Sequence, residues 1–150
     1  MKRILIMGLP GAGKTTLAQW IVDFLQREKK KVGWINADDV RNKYNDWDFS
    51  TEGRIRQSHR MRKLADSMID MDYVICDFVA PLVEMRNNFE ADWTVWVDTI
   101  REGRYADTNA MFVEPKVYDF RITEQNAEKW GEFVSAHILD NRLGKESNLD

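Results

Sequence analysis

A glycine-rich segment near the start of the chain has residue types and spacing that could bind phosphate. Its pattern, G-x-x-x-x-G-K-T, is typical of a phosphate-binding loop between a strand and a helix. Glycines permit positive φ angles, so successive backbone N–H groups can surround phosphate oxygens. The ammonium of Lys14 is expected to reach the β and γ phosphates of ATP as a catalytic group, and the hydroxyl of Thr15 to hold Mg²⁺. The predicted nucleotide-binding residues are Gly8, Pro10, Gly11, Ala12, Gly13, Lys14, Thr15 and Thr16.

A second polar segment, residues 37–41, follows the next apolar run of the chain. In open α/β sheets, ligands bind beyond the carboxyl ends of the strands, so this segment is placed to face the phosphate loop. The carboxylate of Asp38 is predicted to be a general base or a ligand of metal-bound water. Asp39 is expected to cap the short helix that follows. The guanidinium of Arg41 suits a phosphate or phosphosulfate group of a second substrate.

Apolar runs alternate with amphipathic segments along the whole sequence. Strands are predicted at 3–7, 32–36, 73–78 and 93–97, with a last one at 118–122. Helices are predicted at 14–30, 51–69 and 81–89, and a terminal helix capped by Thr123. Residues 98–117 are expected to be irregular, and a polar tail is expected from Gly144. The pattern predicts one α/β domain, 1–150, with a P-loop NTPase-type parallel sheet of about five strands and helices on both faces.

Composition restricts the partners and the compartment. A formal net charge of −3 argues against a long nucleic-acid partner, although small anionic ligands remain compatible with it. The one cysteine, Cys76, excludes a disulfide within the chain and favours a reducing compartment. There is no charged-then-apolar leader, and no apolar run approaches about 18 residues. We therefore expect no membrane segment and a cytoplasmic location.

Several motifs, in order along the chain, resemble those of the adenylylsulfate kinase family. The family's G-L-S-G-A-G-K-T-T is similar to residues 8–16, with Pro10 in place of serine, and its D-G-D-N-V-R is similar to residues 36–41, with Asn36 in place of the first aspartate. The family's L-G-F-S, F-I-S-P and K-G-L-Y resemble residues 47–50, 78–81 and 102–105. These enzymes transfer the γ-phosphoryl group of ATP to the 3′-hydroxyl of adenosine 5′-phosphosulfate. The resemblance implies that activity.

The resemblance also implies which residues contact the acceptor. Two phenylalanines would hold the adenine between their rings, and three arginines would bind the phosphosulfate. The implied set is Asp38, Arg41, Phe49, Arg54, Gln57, Arg86 and Phe112. Arg104, in the segment similar to K-G-L-Y, is implied to neutralise charge in the transition state. A small nucleotide is the implied partner, and the resemblance allows a homodimer.

Two alternatives stay open from the sequence. Residues 8–16 and 36–41 are also similar to polynucleotide 5′-kinases, which carry an aspartate near the end of the next strand, matched here by Asp77. That residue would orient Mg²⁺-bound waters or simply end the strand. Departures from the adenylylsulfate kinase motifs, such as Val83 and Glu102, favour a second alternative, a nucleotide-binding module without kinase activity.

Overall fold

The structure, a computed structural model, describes residues 1–103 and 105–148. Within these residues the strands are β1 (Lys2–Met7), β2 (Val32–Asn36), β3 (Tyr73–Asp77), β4 (Trp93–Val97) and β5 (Phe120–Ile122). The helices are α1 (Lys14–Arg27), α2 (Ala37–Tyr44), α3 (Thr51–Asp66), α4 (Val83–Phe89), α5 (Ala106–Met111) and α6 (Ala127–Asn148). Each of these strands is followed along the chain by a helix. Two helices, α2 and α3, lie between β2 and β3, and one helix lies in each of the other connections between these strands.

The five strands form one parallel sheet with the order β2-β3-β1-β4-β5. Parallel strands need crossover connections, and the intervening helices supply them. The predicted fold class is therefore confirmed. Every residue of β3 is buried, as expected for an apolar strand near the centre of a sheet covered on both faces.

Two apolar layers cover the sheet because successive side chains of a strand point to opposite faces. On one face, Ile4 and Ile6 of β1 pack in the cluster that contains buried residues of α1 and α6. On the other face, Leu5 and Met7 pack with Met61 of α3 and with residues of α4. The amphipathic helices are thus held by burial of their apolar faces rather than by contacts with each other alone.

The structure corrects three details of the sequence prediction. A short helix, α5, lies within residues 98–117, which were expected to be irregular. The side chain of Asn126, not that of Thr123, accepts a hydrogen bond from the Lys129 N–H (3.3 Å) at the start of α6. That helix continues past Gly144 to Asn148, so the expected polar tail is helical instead. Short polar helices give weak periodic signals, which explains why α5 was missed.

Candidate active site

The phosphate loop joins β1 to α1 and has the backbone conformation that its glycines predict. Gly8, Gly11 and Gly13 all have positive φ angles, of 151°, 87° and 102°. Gly8 is required for a second reason, since a Cβ atom there would overlap the backbone carbonyl of Val97 in β4. Glycine thus lets the loop lie against the neighbouring strand while its N–H groups face the start of α1.

Lys14 is the first residue of α1, so its ammonium group and the positive end of the helix dipole lie at the same loop. Its Nζ atom donates a hydrogen bond to the carbonyl of Leu9, 2.9 Å away, across the loop. The hydroxyl of Thr99, which follows β4, donates to the carbonyl of Ala12 at 2.6 Å. The loop is therefore held by two hydrogen bonds, one from its own Lys14 and one from Thr99 in the segment after β4.

A polar network lies beside the loop, at the carboxyl ends of β2 and β3. Asp77, the last residue of β3, is 2% exposed. Its Oδ2 accepts hydrogen bonds from the Thr15 hydroxyl and from the Asn36 amide, both at 2.9 Å, and its Oδ1 accepts from the Trp34 indole N–H at 2.8 Å. Burial raises the pKa of Asp77, and these hydrogen bonds oppose that rise.

Thr15 and Asp77 present oxygen atoms of the kind that Mg²⁺ prefers. The hydroxyl and the carboxylate meet directly beside the phosphate loop. Among the described residues no group of three or more His, Cys, Asp or Glu side chains could hold a metal ion by itself. The donor set therefore fits an ion held by few protein oxygens and completed by water and phosphate, as is usual for Mg²⁺.

Helix α2 brings Asp38 to the cleft. The side-chain oxygen of Asn36 accepts a hydrogen bond from the Asp39 N–H at 3.1 Å and so caps this helix. The prediction that Asp39 is the cap is wrong, because the helix begins at Ala37 and its cap, Asn36, lies three residues before Asp39. Asp38 is exposed and lines the same cavity as Lys14 and Thr15. Its carboxylate is thus available to ligands that enter the cleft.

The cleft has a volume of about 680 Å³ at the carboxyl edge of the sheet. Its walls include the phosphate loop, the start of α2, the loop between α2 and α3, and residues that follow β3. The predicted site residues in its lining are Pro10, Gly11, Gly13, Lys14, Thr15, Thr16, Asp38, Arg41, Phe49, Arg54 and Gln57. Gly8 and Ala12 are buried within the loop itself.

Two arginines and one phenylalanine form a cluster on the wall opposite the phosphate loop. The guanidinium carbons of Arg41 and Arg54 lie 4.4 and 5.2 Å from the centre of the Phe49 ring. Arg41 donates to the carbonyls of Asp46 and Asp48, and Arg54 donates to the carbonyl of Phe49 and to the hydroxyl of Thr108. We call these three residues the Arg41–Phe49–Arg54 cluster.

The two arginines of this cluster are buried, at 4% and 8% exposure. Burial, and secondly the charge of Arg54, lower the pKa of Arg41, and burial lowers the pKa of Arg54. Within the described part of the chain, neither guanidinium forms an ion pair with a carboxylate. Two adjacent positive charges in a cleft favour an anionic ligand.

Gln57 lies behind this cluster at 3% exposure and connects α3 to α2. Its Nε2 donates to the carbonyl of Ala37 at 3.1 Å, and its Oε1 accepts from Arg60 at 3.3 Å. Ala37 directly precedes Asp38. Gln57 therefore fixes the backbone next to the predicted base while part of its surface remains in the cleft.

Arg86 and Phe112 lie together away from the cleft lining. The Arg86 guanidinium carbon is 5.5 Å from the centre of the Phe112 ring, and its nitrogens donate to the carbonyls of Ala80, Pro81 and Val113. Burial lowers the pKa of Arg86 to about 10. Phe112 borders a smaller cavity of about 120 Å³. Neither residue lines the larger cleft, and their contact with an acceptor stays a prediction; Arg104 lies outside the described residues.

Sequence reasoning did not name several residues that line the cleft, among them Trp47, Tyr105 and Thr108. Trp47 is 48% exposed, with its ring centre 6.3 Å from that of Phe49. Tyr105 and Thr108 also line the cleft, and the hydroxyl of Thr108 accepts a hydrogen bond from Arg54 at 2.7 Å. A tryptophan two positions from Phe49 in a polar loop is a signal that could have been used. Thr108 offered none, because its role depends on its contact with distant Arg54.

A phosphate loop after the first strand of a parallel sheet, opposite a carboxylate and a cationic pocket, defines a P-loop kinase. The family model described as adenylylsulphate kinase matches residues 2–102 of the chain. The chain therefore belongs to the adenylylsulphate kinase family, and the predicted resemblance is confirmed.

A curated relative from Aeropyrum pernix, named "Probable adenylyl-sulfate kinase", is 36% identical over 84 residues. The match covers 55% of this chain and 46% of the relative, so the chain spans about half the length of that protein.

None of the helices in residues 1–103 and 105–148 has the length and apolar character needed to cross a bilayer.

Two solved structures share the fold. The APS kinase CysC of Mycobacterium tuberculosis, in complex with AMPPNP and APS, has a TM-score of 0.76 at 22% identity, covering 89% of this chain and 94% of that chain. Shikimate kinase from Acinetobacter baumannii, in complex with shikimate, has a TM-score of 0.62 at 19% identity, covering 95% and 96% of the two chains. The same fold thus occurs in an APS kinase and in a shikimate kinase.

Proposed function

We propose that this protein transfers the γ-phosphoryl group of ATP to the 3′-hydroxyl of adenosine 5′-phosphosulfate, giving 3′-phosphoadenylylsulfate. One observation carries the proposal: the phosphate loop, Asp38 and the Arg41–Phe49–Arg54 cluster all line one cleft. Membership of the adenylylsulphate kinase family supports this choice of acceptor. A location in the cytoplasm and a role in sulfate assimilation are part of the same proposal.

The donor lies along the phosphate loop in this proposal. Backbone N–H groups of the loop and the ammonium group of Lys14 neutralise the triphosphate, after Lys14 exchanges its hydrogen bond to Leu9 for one to phosphate. When bound, Mg²⁺ neutralises charge on the β and γ phosphates, and Thr15 would hold it. The chain's contribution is to position the donor and to balance its charge.

The acceptor lies against α2 and α3. The phosphosulfate lies at the paired guanidinium groups of Arg41 and Arg54, and the adenine stacks on Phe49. The acceptor's 3′ oxygen forms a bond to the γ phosphorus while the bond from that phosphorus to the β–γ bridging oxygen breaks. Asp38 accepts the hydroxyl proton, and ADP leaves.

The proposal is tested with γ-labelled ATP, Mg²⁺ and a panel of acceptors: adenosine 5′-phosphosulfate, nucleosides and 5′-hydroxyl oligonucleotides. We expect label on adenosine 5′-phosphosulfate, and none with Lys14→Ala. The variant Asp38→Asn is expected to lower kcat far more than ATP affinity, with Asp39→Asn as the matched control on the same helix. Label on the oligonucleotide instead would show that the acceptor is a polynucleotide 5′-hydroxyl. ATP binding without any labelled product would indicate a module without kinase activity.

A further inference from the structure

Helix α5 is a short element whose position depends on the hydrogen bonds of its side chains. It has six residues, Ala106–Met111, and a helix of that length is marginal without tertiary contacts. In the described part of the chain, no other helix or strand packs extensively against it. Its buried residue is Thr108, which is 2% exposed and offers a hydroxyl rather than a large apolar side chain. The groups that bond to the α5 side chains therefore largely decide where this helix lies.

Thr108 connects α5 to the acceptor side of the cleft. Its hydroxyl accepts a hydrogen bond from Nη2 of Arg54 at 2.7 Å, and both side chains are buried. Arg54 also donates through Nε to the carbonyl of Phe49 at 3.0 Å. The two bonds come from different nitrogens of one rigid guanidinium plane, so together they set its orientation as well as its position. Thr108 thus holds one of the two cationic groups that the proposed function assigns to the phosphosulfate.

The next residue, Asn109, connects α5 to the donor side of the cleft. Its Oδ1 accepts a hydrogen bond from the Gly103 N–H at 2.7 Å, and its Nδ2 donates to the Gly103 carbonyl at 3.1 Å. Gly103 lies against the phosphate loop, because a Cβ atom there would be 3.1 Å from the carbonyl oxygen of Pro10. The other end of the same segment is attached to the loop by the bond from Thr99 to the carbonyl of Ala12. Asn109 therefore holds the far end of a segment that runs along the phosphate loop.

Thr108 and Asn109 are consecutive, so the two connections share one rigid turn of helix. Consecutive side chains of an α-helix project about 100° apart, which lets one helix contact two different walls. In keeping with this, Thr108 lines the main cleft, and Asn109 lines the smaller cavity that also contains Leu9 of the phosphate loop. A shift of Gly103 on triphosphate binding is therefore transmitted to the partner of Arg54, and a shift of Arg54 on acceptor binding is transmitted to Gly103.

We propose that Thr108 and Asn109 are positioning residues through which α5 couples the acceptor side of the cleft to the phosphate loop. Thr108 acts through Arg54 and Asn109 acts through Gly103, so neither has to touch a reacting atom. The inference rests on the proposed function, because it takes adenosine 5′-phosphosulfate as the ligand at Arg54. Its added content is that each substrate binds more tightly when the other is present, since the first ligand to bind orders α5 for the second.

The test measures this coupling by calorimetry with Mg²⁺ present. The coupling factor is the Kd of adenosine 5′-phosphosulfate alone divided by its Kd at saturating AMPPNP. In wild type we expect a factor of about five or more, and the same factor for AMPPNP when adenosine 5′-phosphosulfate is saturating, because the coupling of two binding sites is reciprocal.

Two variants break the connection at different points. Thr108→Val removes the hydroxyl that accepts from Arg54 and keeps a side chain of similar size. Asn109→Ala removes both hydrogen bonds to Gly103. Each is expected to bring the coupling factor close to one. Thr108→Ser keeps the hydroxyl and should keep the wild-type factor, as should the matched control Ala110→Ser, a change at an exposed residue of the same helix.

A coupling factor close to one in wild type that binds both ligands would overturn the inference alone. It would also be overturned if folded Thr108→Val had weaker acceptor binding but an unchanged factor, because Thr108 would then contact the acceptor directly. Thermal unfolding shows which variants are folded, and either folded variant decides; loss of fold in both would make these residues structural and overturn the inference. A wild type that binds AMPPNP but not adenosine 5′-phosphosulfate, or binds neither, would refute the proposed function itself, and the inference with it.

Discussion

At the scale of single residues, the Arg41–Phe49–Arg54 cluster supplies positive charge and an aromatic ring to the side of the cleft that the proposed function assigns to the acceptor. Two buried guanidinium groups face one aromatic ring, and within the described part of the chain they donate hydrogen bonds to carbonyls and one hydroxyl, with no ion pair to a carboxylate. Charged hydrogen bonds are strong when an anion completes them. The proposed acceptor carries both a negative charge and a flat base, which are the groups that this cluster would bind.

The first prediction concerns Arg41. Arg41→Ala should raise the KM for adenosine 5′-phosphosulfate about tenfold to a hundredfold, because a hydrogen bond to a charged group contributes about 1.5–3 kcal/mol. The KM for ATP should change little. Steady-state kinetics with each substrate varied in turn measures both values. Lys43→Ala on the exposed side of α2 is the control, and equal changes in the two KM values would place Arg41 outside the acceptor site.

At the scale of elements, the loop between α2 and α3 holds this cluster in place. Asp46 accepts hydrogen bonds from Arg56 at 2.8 and 3.1 Å and from Arg60 at 3.2 Å. Gly53 lets the loop lie on the first turn of α3, since a Cβ atom there would overlap the carbonyl of Asp48. The position of Phe49 thus depends on ion pairs and a glycine in the adjoining helix.

The second prediction concerns the pH dependence of this loop. Hydrogen bonds from Arg56 hold the pKa of Asp46 well below its usual range. A carboxyl group with a lowered pKa stabilises the fold above its unfolded pKa, about 4, and this contribution is lost as the pH falls towards the folded pKa. Asp46→Asn should therefore lower the Tm at pH 7, and the difference from wild type should shrink between about pH 5 and pH 2. Thermal unfolding across this range checks it, with Asp39→Asn as control; a constant difference would contradict it.

The third prediction concerns the contact between α1 and α6. A Cβ atom on Gly131 would lie 2.7 Å from the Cβ of Trp20, next to the backbone of α1. Alanine raises helix propensity by about 1 kcal/mol, but overpacking of a core typically costs about 1–3 kcal/mol. Gly131→Ala should therefore lower the free energy of unfolding, as measured in urea. Glu132→Ala, a change at the exposed neighbouring residue, should not lower it. A higher free energy of unfolding for Gly131→Ala would contradict the prediction, because α1 and α6 would then move apart at little cost.

At the scale of the whole molecule, the parallel sheet gathers the site from distant parts of the chain. The carboxyl ends of β1, β2 and β3 meet at one edge, which brings Thr15, Asn36 and Asp77 into contact although 62 positions separate the first from the last. Binding of a nucleotide at this edge should stabilise the entire fold, because the ligand contacts several elements at once.

The fourth prediction tests this coupling. AMPPNP with Mg²⁺ at about 100 times its Kd should stabilise the protein by about 2.7 kcal/mol, which corresponds to a rise in Tm of about 5–10 °C. Lys14→Ala should abolish most of this rise, whereas the exposed Lys31→Ala should retain it. Differential scanning fluorimetry gives the measurement. No rise in wild type would mean that the loop does not bind a triphosphate.

The sequence by itself determined the parts that consecutive residues encode. The phosphate loop, the apolar strands and the parallel α/β fold could be predicted because glycine, lysine and threonine at fixed spacing, and runs of buried residues, express local backbone and burial requirements. The family could be recognised for the same reason, since its motifs are short and appear in order.

The tertiary structure alone decided which distant side chains meet. Asn36 rather than Asp39 caps α2, Asp77 accepts hydrogen bonds from Asn36 and Thr15, and Arg86 lies over the ring of Phe112. These contacts depend on the order of the strands and on how each loop packs. The physical reason is that a hydrogen bond or ring contact needs two groups within a few ångströms of each other, and only the folded chain fixes that distance.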